Sequence, residues 1–256
     1  MNILITAGGT SEKIDNVRSI TNHSTGRLGK TIAETFLAQG HLVTYVTTPQ
    51  AVRPAKQPEL NILEIETTKE LETTLLEQFA QTAFDSIIHS MAVSDFTTET
   101  TLSEETFIDQ LSEKIGTLGD LNDTRQLKEH IQISLDEMGE TVQDQKKIPS
   151  KTDRLLLFLK KNPKIIAMLR EKQPQAILVG FKLLVGVSEA ELIQVGRSIL
   201  AKNQCDFILA NDLETIQGEQ HKGILINALG QTQTAQTKAE IAQLIVNKVE
   251  EKWRNQ

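Results

Sequence analysis

The chain has 256 residues, enough to bury one large α/β core, or a core with a smaller flap. Its net charge of -7 argues against general nucleic-acid binding, which calls for a basic face, and no apolar run approaches the roughly 20 residues of a membrane helix. The opening Met1-Asn2-Ile3-Leu4 shows no charged n-region or cleavage site, and the single Cys205 cannot form an internal disulfide, so a reducing, cytoplasmic setting is expected.

Strands and helices alternate along the chain. Ile3 to Thr6 reads as a central strand. A helix is expected from about Thr25 to Gln39, with Leu28, Ile32, Phe36 and Leu37 on one face and Gly40 as its stop. His41 to Thr47 is a second strand, and Pro49, Pro54 and Pro58 break the loop that follows. Asn61 to Ile65 is a third. Thr67 with Glu70 forms a capping-box pattern that opens a helix reaching about Ala83. Ser86 to Val93 is a fourth strand, expected to be buried on both faces from its run of apolar residues. This spacing implies a parallel sheet with right-handed crossovers.

Residues 97–147 break the rhythm. They are rich in Asp and Glu and poor in apolar anchors, and they are too long for a simple loop. A mobile flap, a partner-subunit contact and a partly disordered acidic excursion are all compatible with this composition. Beyond it, Leu155 to Lys160 fits strand or helix, and Pro163 sits where the first turn of a helix tolerates proline. Ala176 to Leu184 is a strand. Ser188 with Glu191 caps a helix running to about Asn203, and Cys205 to Ala210 is another strand. Ile224 to Asn227 with Gln231 to Thr234 suggests a hairpin, and Thr237 with Glu240 caps a last helix. Cys205, within an apolar run, reads as a buried structural thiol.

Two segments carry chemistry. Gly8-Gly9-Thr10 ends the first strand, where glycine lets backbone approach a ligand closely. Asn22-His23-Ser24-Thr25-Gly26-Arg27-Leu28-Gly29 then places hydroxyls and N–H groups at a helix start, an anion-binding arrangement. It is not a dinucleotide fingerprint, because a long loop separates Gly9 from the helix and the second strand ends in Thr47-Thr48-Pro49 with no acid. Nor is Gly29-Lys30-Thr31 a P-loop, since Ser24 stands where that motif needs glycine. A short-chain oxidoreductase would need Tyr-x-x-x-Lys, and the only tyrosine, Tyr45, is followed four residues on by Pro49. No histidine lies in a metal-ligand spacing.

Gly8-Gly9-Thr10, Asp15-x-Val17-Arg18 and Asn22-His23-Ser24-Thr25-Gly26-Arg27-x-Gly29 together resemble the phosphopantothenoylcysteine synthetase (phosphopantothenate–cysteine ligase) family. Ala92-Val93-Ser94-Asp95-Phe96, Lys147-Ile148-Pro149-Ser150, Lys161-Asn162-Pro163 and Ala210-Asn211-Asp212 are similar to later segments of that family, in the same order. The resemblance implies an α/β fold: a Rossmann-like, doubly wound, mostly parallel sheet in one 1–256 domain, with 97–147 as a flap or dimerisation excursion and Leu155 to Lys160 as a strand. It also implies a ligase that joins 4′-phosphopantothenate to L-cysteine through an acyl-nucleotide, in coenzyme A biosynthesis. CTP would be the activating co-substrate, with ATP as the alternative and Mg2+ as cofactor, in a homodimer that binds neither nucleic acid nor membrane.

The resemblance also assigns roles. Asn22 and Lys147 would be catalytic, Asn22 orienting the acyl group through its amide and Lys147 neutralising charge at the α-phosphate. Gly8, Gly9, Asp95, Phe181, Lys182, Asn211 and Asp212 would meet the nucleotide. Ser24, Thr25, Gly26 and Lys161 would hold substrate or phosphate; metal ligands are not identified. Read without the resemblance, Asn22 is a loop cap, Ser24 or Thr25 an ordinary N-cap, Asp95 a turn cap and Lys147 a solvated lysine. Ser150 and Lys182 depart from the common bacterial pattern toward the eukaryotic one, which leaves the nucleotide open.

Overall fold

In the computed structural model, which describes residues 1–116, 123–140 and 153–256, β1 (Asn2–Ala7) is a strand with Ile3, Leu4 and Ile5 fully buried. A short hairpin of β2 (Ser11–Lys13) and β3 (Ser19–Thr21) precedes α1 (Arg27–Ala38), β4 (Leu42–Thr47), β5 (Leu60–Glu64) and α2 (Thr68–Gln81). Then come β6 (Ser86–His89), β7 (Phe96–Ser103), α3 (Glu104–Gly116), α4 (Thr124–Glu140) and β8 (Leu155–Lys161). The chain continues through α5 (Ile165–Lys172), β9 (Ile177–Leu184), α6 (Glu189–Asn203), β10 (Phe207–Gln217), β11 (Gln220–Asn227), β12 (Thr232–Thr237) and α7 (Lys238–Arg254).

These elements form two units. The first holds residues 1–10, 22–93 and 164–256; the second holds 11–21 and 94–163. In the first unit one eight-stranded sheet runs β12-β11-β10-β9-β6-β1-β4-β5. All neighbours from β10 to β5 are parallel, and β11 and β12 add an antiparallel edge. Numbered by chain order among the parallel strands alone, the order is 3-2-1-4-5-6, the doubly wound Rossmann-like arrangement. Its switch point lies between β1 and β6.

Apolar side chains cover both faces of this sheet. Ile32 and Phe36 of α1 and Ile241, Ile245 and Val249 of α7 pack on one face with Ile3, Ile5 and Leu209. Leu71 and Leu75 of α2, Ile165 and Leu169 of α5, and Leu192 and Leu200 of α6 pack on the other with Leu4, Ile87 and Ile208. The expected capping box is formed: the Glu70 N–H donates to Thr67 Oγ1 at 3.1 Å, and Glu70 Oε2 accepts from the Thr67 N–H. At α6 and α7 the Ser188 and Thr237 hydroxyls accept from the Glu191 and Glu240 N–H groups, without the return bond.

Several boundaries differ from the sequence reading. The fourth strand stops at His89, short of Val93. Lys164 caps α5, so Pro163 stands before the helix rather than in its first turn. Strand β10 reaches Gln217, because it leaves β9 at Asp212 and stays paired with β11 past an irregularity between Asn211 and Ile216.

The second unit is wider than the expected 97–147 excursion and takes in residues 11–21 as well. Its sheet is the antiparallel pair β7–β8, one face of which packs on α3 through Phe107 and Phe158, ring centroids 6.0 Å apart. Part of the 97–147 stretch is thus built of strand and helix. The β2–β3 hairpin was not foreseen. Its tip is closed by Asp15, whose carboxylate accepts from the N–H groups of Val17 and Arg18 and from the Arg18 guanidinium at 2.7 Å.

Candidate active site at the sheet's switch point

Ligands of open α/β sheets bind beyond the C-terminal ends of the strands, where the strand order reverses. Here the ends of β1 and β6 stay tied together past the strands themselves. Ala92 N–H donates to the Gly8 carbonyl at 2.8 Å, Thr10 N–H donates to Ala92 at 3.1 Å, and Ser90 Oγ donates to the Thr6 carbonyl. Asn22 joins the same knot: its N–H donates to the Thr10 carbonyl at 3.3 Å, and its Nδ2 donates to the Ala92 carbonyl at 3.4 Å. The loop read as carrying Asn22 therefore returns to Gly9, and a fixed backbone anchors the Asn22 amide.

The glycines serve close packing of chain on chain. A Cβ on Gly9 would lie 2.1 Å from the Asn22 carbonyl oxygen. Gly8 has φ 96°, and a Cβ there would meet Thr48 Oγ1 and the Ala51 methyl within 3 Å. Gly26, φ 73°, is pressed against the same Ala51. Thr48 and Ala51 thus pack closely on the backbone of the β1 turn, and Ala51 on the start of α1.

The start of α1 corrects one expectation. Gly26, not Ser24 or Thr25, is the N-cap; it lies in the left-handed region, and no side chain caps the first turn. Thr25 is exposed, Ser24 is half-buried, and the Thr25 carbonyl accepts from Val52 N–H at 3.0 Å. The first-turn N–H groups keep the positive end of the helix at this edge.

Phe181, Lys182, Asn211 and Asp212 come together at the ends of β9 and β10, with Lys182 opposite Ala210 and Leu183 opposite Asn211. Asp212 acts as a clasp: Oδ1 accepts from Gly186 and Glu214 N–H groups, and Oδ2 accepts from Val187 N–H at 2.9 Å. These donors, Glu214 first, hold its carboxyl below the usual carboxylate range. Its oxygens thus tie the loop after β9 to β10. Asn211 Nδ2 lies 3.0 Å from Nε2 of the buried His221. Burial, helped by the nearby Lys238 charge, lowers the His221 pKa to about 4. Sequence reading missed His221, whose only signal is a polar residue at an inward position of β11.

Asp95 and Lys161 belong to the second unit. Both are exposed, and the Asp95 carbonyl accepts from Asn162 N–H at 2.9 Å. Lys147 and Ser150 lie outside the described residues. Among the described residues no three His, Cys, Asp or Glu side chains cluster as a metal site. Cys205 is buried, which pushes its thiol up to about 12 and makes it inert as a nucleophile. No described helix is long and apolar enough to cross a membrane.

Fold and topology together define an α/β protein of the doubly wound class whose β1 and β6 ends are hydrogen-bonded at the switch point. The chain belongs to the family described as the DNA/pantothenate metabolism flavoprotein C-terminal domain, which matches residues 1–114 and 138–252, in line with the resemblance read from the sequence. It is 43% identical to the structure titled DNA/Pantothenate Metabolism Flavoprotein from Streptococcus pneumoniae, with 98% of each chain covered and a TM-score of 0.78. A coenzyme A biosynthesis bifunctional protein CoaBC from Thermococcus kodakarensis is 28% identical over 249 residues. That match takes in 97% of this chain and 50% of the relative, so the chain spans about half the length of the curated CoaBC relative. A Cab2 mutant in complex with phosphopantothenate-cysteine shares the fold, with a TM-score of 0.69 at 19% identity, covering 99% of this chain and 86% of that one.

Proposed function

We propose that this chain is a phosphopantothenate–cysteine ligase of coenzyme A biosynthesis. The observation that carries the reading is the family match along nearly the whole chain, together with Gly8, Gly9 and Asn22 knotted at the switch point. The names of the CoaBC relative and of the Cab2 complex support the substrate class.

In this reading the carboxylate of 4′-phosphopantothenate attacks the α-phosphorus of CTP. The bond to pyrophosphate breaks, and an acyl-cytidylate forms. The amine of L-cysteine then attacks the acyl carbon, CMP leaves with the bonding pair, and the amine gives up its proton. Two anions must meet, so the site has to offset their repulsion. The resemblance would have Lys147 neutralise charge at the α-phosphate and the Asn22 amide orient the acyl group. Mg2+ would accompany the triphosphate, bridging its phosphate oxygens. ATP is the alternative co-substrate, on the strength of Ser150 and Lys182. We also infer a homodimer. Leu157 and Leu159 share an exposed face of the β7–β8 pair, opposite the face carrying Phe158.

The test is pyrophosphate release with Mg2+, 4′-phosphopantothenate and cysteine, run with CTP and with ATP. Release should require phosphopantothenate, and Lys147→Ala should cut it about 100-fold or more with little change in nucleotide binding. Release by neither nucleotide would sink the ligase reading, and unchanged release in Lys147→Ala would remove that lysine from the chemistry.

A further inference from the structure

We propose that His89 is a positioning residue for amide formation: through Thr6 it sets where the Ala92 carbonyl stands, and so how the Asn22 amide meets the acyl group. This rests on the ligase reading and on the role the resemblance gives Asn22. Thr6 and His89 are the last residues paired between β1 and β6, and their side chains meet, with Thr6 Oγ1 2.8 Å from His89 Nδ1. Both are buried. The row they stand in runs Val46, Thr6, His89, Gly180, Ile208 across β4, β1, β6, β9 and β10. Every other member is apolar or has no side chain, and Ile166 and Ile208 occupy the space a Cβ on Gly180 would take. Two apolar side chains of matching shape would hold such a row about as well, because a buried hydrogen bond adds little net stability. What the pair adds is direction, whichever partner donates.

That direction is imposed where strand pairing ends and the knot begins. Immediately after His89, the Ser90 N–H and Oγ both donate to the Thr6 carbonyl, at 3.0 and 2.7 Å. Thr6 is thus held by His89 through its side chain and by Ser90 through its backbone, which fixes how β6 leaves the sheet. Two residues later the Ala92 N–H donates to the Gly8 carbonyl, and the Ala92 carbonyl accepts from Thr10 N–H and from Asn22 Nδ2. The bond to Asn22 is 3.4 Å long, close to the longest that still counts as a hydrogen bond. A displacement of the carbonyl by a few tenths of an ångström releases the amide, whereas the shorter backbone bonds survive it. The acyl group exists only once activation has occurred. The cost of a loose amide therefore falls on the attack of the cysteine amine, where a misplacement of about 1 Å can cost about 100-fold.

The experiment follows two steps in the full chain with CTP or ATP: the pyrophosphate burst without cysteine, and cysteine consumption at steady state. His89→Leu should keep the burst within about twofold and slow cysteine consumption about 10- to 100-fold. Thr6→Val should do the same, and the double variant should be no worse than either single one. His89→Asn, whose amide can stand where Nδ1 does, should restore the rate. Hydrogen exchange gives a readout besides turnover: in His89→Leu the Asn22 Nδ2 protons should exchange about 10-fold faster, with the Ala92 N–H unchanged. Should His89→Leu fail to fold, Thr6→Val must show both effects in its place. A burst and a cysteine rate that fall together, with exchange rising at Asn22 and Ala92 alike, would reduce the pair to a structural contact and overturn the proposal. Unchanged cysteine consumption in a folded His89→Leu would overturn it as well. Without pyrophosphate release from the parent the ligase reading falls, and exchange alone decides: a selective rise at Asn22 keeps the positioning by His89, and an unchanged rate overturns that too.

Discussion

His89 sits at the end of β6 with its Nδ1 2.8 Å from Thr6 Oγ1, and burial lowers its pKa to about 4. The unfolded chain takes up this proton near pH 6.5, so between those values the unfolded state holds more protons and stability falls as pH falls. The loss should be complete by about pH 4 and amount to roughly 3 kcal/mol from this residue, with His221 adding in the same window. Urea unfolding at pH 7 and pH 4.5 should show it, and His89→Gln should flatten the difference. A variant as acid-sensitive as the parent would mean that the folded ring already carries the proton. At this scale the sequence made the glycines and Asn22 legible as a tight, polar site. It did not show what the glycines approach, since Asn22, Thr48 and Ala51 reach them only through the folded loops. His89 and His221 were illegible as paired groups because their partners lie far along the chain or across a strand pair.

Helix α1 lies on β1 at the closest approach a glycine permits. A Cβ on Gly29 would come within 2.5 Å of the Ala7 methyl and 2.8 Å of Ser90 Oγ. Gly29→Ala must therefore lift the helix or shift the strand, and should cost about 1–3 kcal/mol despite alanine's better helix propensity. Thermal unfolding checks this; a variant as stable as the parent would show that the helix has room to move. Elements of this kind were legible wherever local rules agree. Thr67 with Glu70, Ser188 with Glu191 and Thr237 with Glu240 are capping patterns written in adjacent residues. The β2–β3 hairpin was not legible, because three-residue strands carry no usable periodicity and its stability comes from the Asp15 clasp. The true length of β10 was hidden too, since its last residues are held by β11 alone.

For the whole molecule, the doubly wound sheet could be read from the alternation of elements, but the extent of the second unit could not, because two distant segments build it. Its exposed Leu157 and Leu159 carry the dimer reading. Leu157→Glu should shift the protein to half its mass in sedimentation while leaving the far-ultraviolet spectrum unchanged; an unaltered mass would place the dimer contact elsewhere, or show a monomer from the start. The connectivity of the second unit has a kinetic side. Residues 22–93 of the first unit separate its two segments, and the chain passes between units beside Thr10, Asn22, Val93 and Lys164. The first three of these points lie at the knot where Thr10, Asn22 and Ala92 are hydrogen-bonded. Pairing β1 with β6 therefore draws the ends of the second unit's two segments together before they touch, removing most of the loop-closure entropy they would otherwise face. The hairpin at 11–21 is synthesised early, yet β7, whose Thr97 hydroxyl donates to Glu12, follows only after β6 in the chain.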